Sequence, residues 1–333
     1  MKQIQIDKQG LIGKQVRVFA PGTVANLICG FDVLGMAIEQ PGDEVLMRIV
    51  ETPGVRLLRI EGDGGILPKA EDKNTVSASV IRFLEMLGLS DLGVEIELYK
   101  QMPIGSGMGS SSASTVAGLV AINALLEEPL SKKELLPLAM EGEALACGHG
   151  HADNVAPALL GGITLIRSYA PLDIVSLPVP DDLWISVIFP DVEVPTRGAR
   201  DMIKKKIELG QAVKQWGNVA GLISGLFLSD YDLIGRSMKD ELIEPVRSIL
   251  IPEFDGMRQI ALENGALCLG ISGSGPSVFA LSTSAEKARS VNERIIQHMQ
   301  EQSIPCLQYL SKVNVQGARV LACEQLEVNT LSN

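Results

Sequence analysis

The sequence contains no Cys-x-x-Cys pair. Its five cysteines, Cys29, Cys147, Cys268, Cys306 and Cys323, are scattered and odd in number. That pattern excludes a disulfide framework and a cysteine-ligated zinc site, and it predicts reduced thiols in a cytoplasmic protein. No apolar run approaches the roughly 18 residues that a membrane span needs, and the start MKQIQIDKQG carries no apolar leader. A soluble chain with no membrane contact is expected. Basic residues are in deficit: Lys and Arg number 29 against 40 Asp and Glu, a net charge of −11. A nucleic-acid binder needs the opposite balance. The deficit leaves anionic small ligands open, since helix N-termini and backbone amides bind anions locally whatever the net charge. Repeats and low-complexity tracts are also missing. With 46% apolar and 21% charged residues the chain is globular rather than disordered, and its length fits about two domains.

What is present reads as α+β. Strands are predicted at 16–20, 44–50 and 56–60, the second after a Pro-Gly turn at Pro41-Gly42. Residues 74–87 place Val76, Val80, Phe83, Leu84 and Leu87 at helical spacing and end at Gly88, a good C-cap. Residues 94–99 alternate Val, Glu, Ile, Glu, Leu, Tyr, as a strand with one wet face does in antiparallel or mixed sheets. Helices follow at 111–126 and 132–147, then a strand at 162–166. Beyond Pro171 the character changes: a proline-rich connection (Pro171, Pro178, Pro180) leads to a strand at 183–189. Helices are predicted near 196–206, 211–228, 254–264 and 284–300. Strands are predicted at 266–271 and 277–281 around a glycine-rich turn, and again near 305–310 and 317–322. A domain boundary is expected near 170.

Three stretches carry chemistry. Pro103-Ile-Gly-Ser-Gly-Met-Gly-Ser-Ser-Ser-Ala113 follows the amphipathic strand and opens an apolar helix. Alternate glycines let a backbone approach a ligand closely, and the hydroxyls that follow sit at a helix N-terminus, where free N–H groups favour anions. This is a phosphate cradle rather than a plain Gly/Ser turn. It is not a Walker A loop, because the only Gly-Lys pair, Gly13-Lys14, precedes Gln15. It is not a dinucleotide loop either, with Ser110 at the third glycine position after a strand bearing Glu95 and Glu97. No Gly-x-Ser-x-Gly elbow exists for a serine hydrolase. The second stretch runs from Glu141 to Pro157. Glu143 is suited to ligate Mg²⁺ beside a phosphate, although on local grounds a solvated helix glutamate is the commoner case. His149 and His151 suggest a metal, but one further histidine and no cysteine ligand spacing argue against zinc. Substrate positioning by the His, Asp and Asn cluster fits better. The third stretch, Leu269–Ser277, has glycines between two strands; close backbone approach and a simple hairpin loop remain equal readings.

Together, Val18–Asn26, Pro103–Ala113 and Leu269–Ser277 resemble the three motifs of the GHMP kinase superfamily, which includes galactokinase, homoserine kinase, mevalonate kinase and phosphomevalonate kinase. The resemblance spans nearly the whole chain. Residues 21–35, 148–157 and 195–200, with Ile243-Glu-Pro-Val-Arg247, are most similar to the homoserine kinases of that superfamily. The resemblance implies an N-terminal domain (1–170) like ribosomal protein S5 domain 2, a ferredoxin-like C-terminal domain (171–333), and ATP bound between them. By similarity Pro103, Ile104, Gly105, Ser106, Gly107, Met108, Gly109, Ser110, Ser111, Ser112 and Ala113 wrap the triphosphate. Asn74, Val76 and Lys100 lie around the adenosine, and Ser111 and Glu143 ligate Mg²⁺. L-homoserine is held by Asn26, Asp32, His151, Asn154, Thr196, Arg200 and Arg247, and a homodimer is implied. Asn154 stands where mevalonate kinase-like enzymes carry an aspartate, so it orients the hydroxyl, with Asp153 the rival base. Two positions depart from the family's pattern: Met108, where leucine is commoner, and Ser112, where alanine is usual. A kinase for another small alcohol, such as mevalonate, and a nucleotide sensor without catalysis are the alternative functions. Retention of Ser111 and Glu143 argues against the sensor.

Overall fold

The computed structural model describes residues 7–147, 150–192, 202–204 and 206–325. A short helix α1 (Lys8–Leu11) precedes β1 (Lys14–Ala25), β2 (Leu34–Val50) and β3 (Gly54–Glu61). Asn74 caps α2 (Thr75–Leu87) by accepting from Val76 N, and Gly88 ends it in the left-handed conformation, as the spacing predicts. In β4 (Gly93–Tyr99) Val94, Ile96 and Leu98 are buried while Glu95, Glu97 and Tyr99 face outward. The central helix α3 (Ser110–Leu125) is built of small and apolar residues and is buried on all sides. Around it pack α4 (Lys132–Cys147) and α5 (Ala152–Leu160), followed by β5 (Ile163–Tyr169) and β6 (Leu172–Leu177).

The second half holds β7 (Trp184–Pro190), α6 (Leu209–Leu228), α7 (Tyr231–Ser237) and α8 (Glu244–Arg247). It continues with α9 (Phe254–Glu263), β8 (Cys268–Ile271), β9 (Val278–Ser282), α10 (Ala285–Glu301), β10 (Cys306–Lys312) and β11 (Arg319–Gln325). Two mixed or antiparallel sheets result. The larger has seven strands in the order β11-β1-β2-β4-β3, with β5 joining the start of β2 and β6 joining β5. It is mixed because β3 runs parallel to β4 and β4 antiparallel to β2. The smaller sheet, β10-β7-β9-β8, is antiparallel throughout. On it α9 and α10 close a second core of Phe254, Met257, Val278, Val291, Ile295 and Met299. The architecture is two-domain α+β.

Several details depart from the sequence reading. Residues 172–177 are not a bare connection but a strand hairpinned to β5. The prolines flank that strand without entering it, so the ladder is left intact. A boundary at 170 therefore cuts a hairpin, and β11 returns from the far end of the chain to pair with β1. Helix α5 is not legible in its sequence because Pro157 sits in its second turn and polar residues open it. Of the helix expected over 196–206, residues 202–204 and 206 are not helical, and the rest lies outside the described residues. Cys29 and Cys268 are buried and free, and burial pushes each thiol up to about 12, in keeping with reduced, unreactive side chains.

Candidate active site

The glycine loop leaves β4 and enters α3. Gly105, Gly107 and Gly109 all have positive φ (70°, 79° and 67°), and burial alternates along the chain: Ser106, Met108 and Ser110 are buried, while the glycines are less so. Among the described residues none of the N–H groups of residues 107–112 donates to a backbone carbonyl. They form a row of donors at a helix N-terminus. A Cβ on Gly107 would lie 2.5 Å from Ser272 O and 2.8 Å from Gly275 O. The third glycine stretch thus packs directly on the second. Ser272 Oγ donates to Gly107 O at 2.8 Å and Ser277 N to Ser106 O at 3.1 Å, which pins the two together.

The first stretch completes the convergence. Thr23 N donates to Met108 O at 2.9 Å and Gly273 N to Ala25 O at 3.3 Å. Next come three consecutive left-handed residues, none of them glycine: Asn26 (φ 73°), Leu27 (42°) and Ile28 (60°), with Asp32 (61°) beyond. Such conformations cost about 1–3 kcal/mol each and mark functional sites. Here burial of Leu27, Ile28 and Cys29 holds the turn. Its outcome is to aim Asn26, whose Nδ2 donates to Gly273 O at 3.0 Å and whose Oδ1 accepts Asp32 N at 3.0 Å.

The polar N-terminus of α5 faces this assembly. Thr23 Oγ1 donates to Asn154 Oδ1 at 2.6 Å, and both atoms lie where a Cβ on Gly109 would fall. His151 Nδ1 is 3.8 Å from Asp32 Oδ2, and Tyr169 Oη, which accepts Ala152 N, donates to Asp32 O at 2.7 Å. Asp153 is buried, and its Oδ1 has no hydrogen-bond partner among the described residues. Burial first, then the charges of Asp32 and Glu143, raise its carboxyl to about 7. From α4 the buried Glu143 accepts Ser112 Oγ at 2.8 Å. The hydroxyl that departs from the family pattern therefore fixes this carboxylate. Ser111 Oγ is buried with no hydrogen-bond partner among the described residues. A hydroxyl without a partner among the described residues and a buried carboxylate held by the next residue along the helix are hard oxygen donors of the kind that suit Mg²⁺, which takes few protein ligands and completes its shell with phosphate and water.

Other residues expected at the nucleotide are engaged within the protein itself. Lys100, expected near the adenosine, is one of them. Its ammonium is buried beneath the loop and spends all three donors on Asp43, Ser110 O (2.9 Å) and Ser114 Oγ (2.7 Å). Asn74 is engaged as the α2 cap and through Nδ2 to Pro68 O, and Val76 is a core residue packed on Gly118. Arg247 is no surface arginine: it is buried, donates to Gly273 O at 3.2 Å and lies 5.2 Å from the Phe31 ring. Thr196, Arg200 and His149 lie outside the described residues. The sequence reading did not single out Thr23, Phe31, Tyr169 or Asp43. Thr23 and Phe31 lie inside quoted motifs, whereas no local signal marks Tyr169 or Asp43.

Fold and cradle together define a kinase of the GHMP class. The sequence matches the GHMP kinases N terminal domain over residues 74–162 and the GHMP kinases C terminal family over residues 222–301. The chain is 50% identical over 287 residues to a homoserine kinase of Chloroherpeton thalassium, covering 84% of this chain and 90% of that one. It is 47% identical over 319 residues to a homoserine kinase of Chlorobium phaeobacteroides, covering 92% and 100%. The crystal structure of homoserine kinase from Cytophaga hutchinsonii superposes with a TM-score of 0.90 at 56% identity, over 92% of this chain and 97% of that one. The chain belongs to the homoserine kinase family.

Proposed function

We propose that the protein transfers the γ-phosphate of ATP to the hydroxyl of L-homoserine, giving O-phospho-L-homoserine on the route to threonine. One observation carries this reading: three glycine-bearing segments distant in sequence meet at Gly107, Gly109 and Gly273, with Asn154, Glu143 and Arg247 around them. The N–H row of residues 107–112 receives the phosphates, and Ser111 and Glu143 hold Mg²⁺, which when bound neutralises phosphate charge. Because Asn154 Oδ1 accepts from Thr23, its amide donors are the part left for a substrate oxygen. An amide orients a hydroxyl and does not take its proton. Arg247, together with Arg200, supplies planar donors for the substrate carboxylate, and Asp32 beside His151 pairs with the ammonium. The test is ADP release from ATP with homoserine, mevalonate and galactose in parallel. Turnover with homoserine alone is expected. Tight ATP binding with no turnover on any of the three would favour a nucleotide sensor.

The same reading extends to architecture and assembly. The smaller sheet has the strand order β10-β7-β9-β8, with α9 between β7 and β8 and α10 between β9 and β10. That β-α-β-β-α-β path supports a ferredoxin-like C-terminal domain; the larger sheet with α2–α5 is read as the unit similar to ribosomal protein S5 domain 2. Among the described residues no helix is long and apolar enough to cross a membrane, and the reading places the enzyme in the cytoplasm. Leu209, Val213, Trp216 and Phe227 form an exposed apolar stripe at helical spacing along α6. The stripe supports a homodimer, which sedimentation equilibrium would detect at twice the chain mass.

A further inference from the structure

Beneath the glycine loop lies a buried ion pair that the mechanism above does not use. Asp43, in the bend of β2, is fully buried, and the Lys100 side chain opposite it is 2% exposed. Asp43 Oδ1 accepts the backbone N–H of Gln101 (3.0 Å) and of Met102 (3.4 Å), the residues that lead into the loop. Its Oδ2 accepts Lys100 and the hydroxyls of Ser110 and Ser114, each at 3.1 Å, in the first turns of α3 where the loop ends. Lys100 closes the circuit through Ser110 O and Ser114 Oγ. One carboxylate and one ammonium therefore tie the entrance of the loop to its exit.

We propose that the Asp43–Lys100 pair, relayed by Ser114, positions the phosphate-binding loop by fixing the direction in which the N–H groups of residues 107–112 point. The inference rests on the reading of that loop as the phosphate cradle. Stability alone does not call for such a pair, because a buried ion pair is often replaceable by apolar residues at no loss. Apolar contacts, however, cannot supply direction. Charge-assisted hydrogen bonds fix both distance and angle; Thr23, Ser272 and Ser277 hold the carbonyls of residues 106–108, while the ion pair holds the two ends of a loop that contains three left-handed glycines. Anion binding by amides gains most when the donors are already aimed. Asp43 and Lys100 are accordingly positioning residues that touch neither substrate.

The test compares ADP with adenosine, since only ADP brings phosphates to the loop. In the double variant Asp43→Asn/Lys100→Met, which keeps shape and leaves no unpaired buried charge, titration calorimetry should show ADP binding weakened at least tenfold and adenosine binding changed less than twofold. The KM for homoserine should also stay within twofold. A general loss of structure would weaken both nucleotide probes alike. A cooperatively unfolding double variant that keeps the wild-type ratio of ADP to adenosine affinity overturns the proposal. If the double variant does not fold, Ser114→Ala decides: the ratio should fall about threefold, and an unchanged ratio overturns the proposal. A wild-type protein that binds ADP no more tightly than adenosine would instead remove the cradle reading itself.

Discussion

Among single residues, the carboxylates of the site differ in how each is held, and that difference sets what each can do. Glu143 is buried but accepts a hydroxyl hydrogen bond from Ser112, so its side chain is held in one position, as the proposed metal-ligand role requires. Glu143→Gln preserves shape and an acceptor oxygen while removing the charge. Turnover is expected to fall by about 100-fold or more, with the thermal midpoint little changed. Near-normal turnover would take Glu143 out of the site. Asp153 is the contrary case, with an oxygen that has no hydrogen-bond partner among the described residues and a carboxyl raised to about 7. A folded-state value above the unfolded 3.8 means that its contribution to stability is present in full below about pH 4 and lost as pH rises through 7. Asp153→Asn should therefore be more stable than wild type in urea at pH 8 without nucleotide, with the gap closing toward pH 4. If Asn154 orients the hydroxyl without a base, this variant keeps turnover within about tenfold. A collapse with intact substrate binding would make Asp153 the base.

Elements carry a different kind of constraint, since two glycines with similar backbone angles are predicted to behave in opposite ways. Gly88 (φ 70°) ends α2 in open space, and Gly109 (φ 67°) ends the cradle against Thr23 and Asn154. Gly88→Ala should cost about 1–2 kcal/mol in denaturant unfolding, the left-handed penalty alone, and leave activity near wild type. Gly109→Ala adds a Cβ 2.0 Å from Thr23 Oγ1 and should displace the Thr23–Asn154 pair, lowering kcat by about 100-fold. Equal effects of the two substitutions on activity would refute this placement. The same scale explains what the sequence concealed. Periodicity and capping residues mark α2, β4 and α10. They do not mark α5, where Pro157 interrupts the helical pattern, nor β6, where prolines on either side imitate a linker.

In the whole molecule, Arg247 and its acceptor Gly273 come from the second half of the chain yet Arg247 lies over Phe31 of the first, so this corner of the candidate site forms only once both halves have folded. Arg247→Ala removes a charged partner from a buried site. It should lower kcat/KM for homoserine roughly ten- to a hundred-fold, about 1.5–3 kcal/mol. Lys at this position keeps charge but loses the planar fork, and should recover only part. An alanine variant within about threefold of wild type would remove Arg247 from substrate recognition.

The sequence by itself determined the α+β class and the superfamily, and it marked residues 103–113 as the candidate phosphate cradle, because alternating glycines before a buried helix carry their physical meaning locally. Glu143, Asn154 and Arg247 were likewise marked by their motifs. Only the tertiary structure decided which groups meet. It turned Lys100 inward onto Asp43, gave Ser112 its partner in Glu143, and paired Thr23 with Asn154 across 131 positions of sequence. Pairings of that kind depend on the register of β1 and β2 and on the seating of α3 and α5 against them. Those are set by packing among distant segments, and no local window of sequence encodes them.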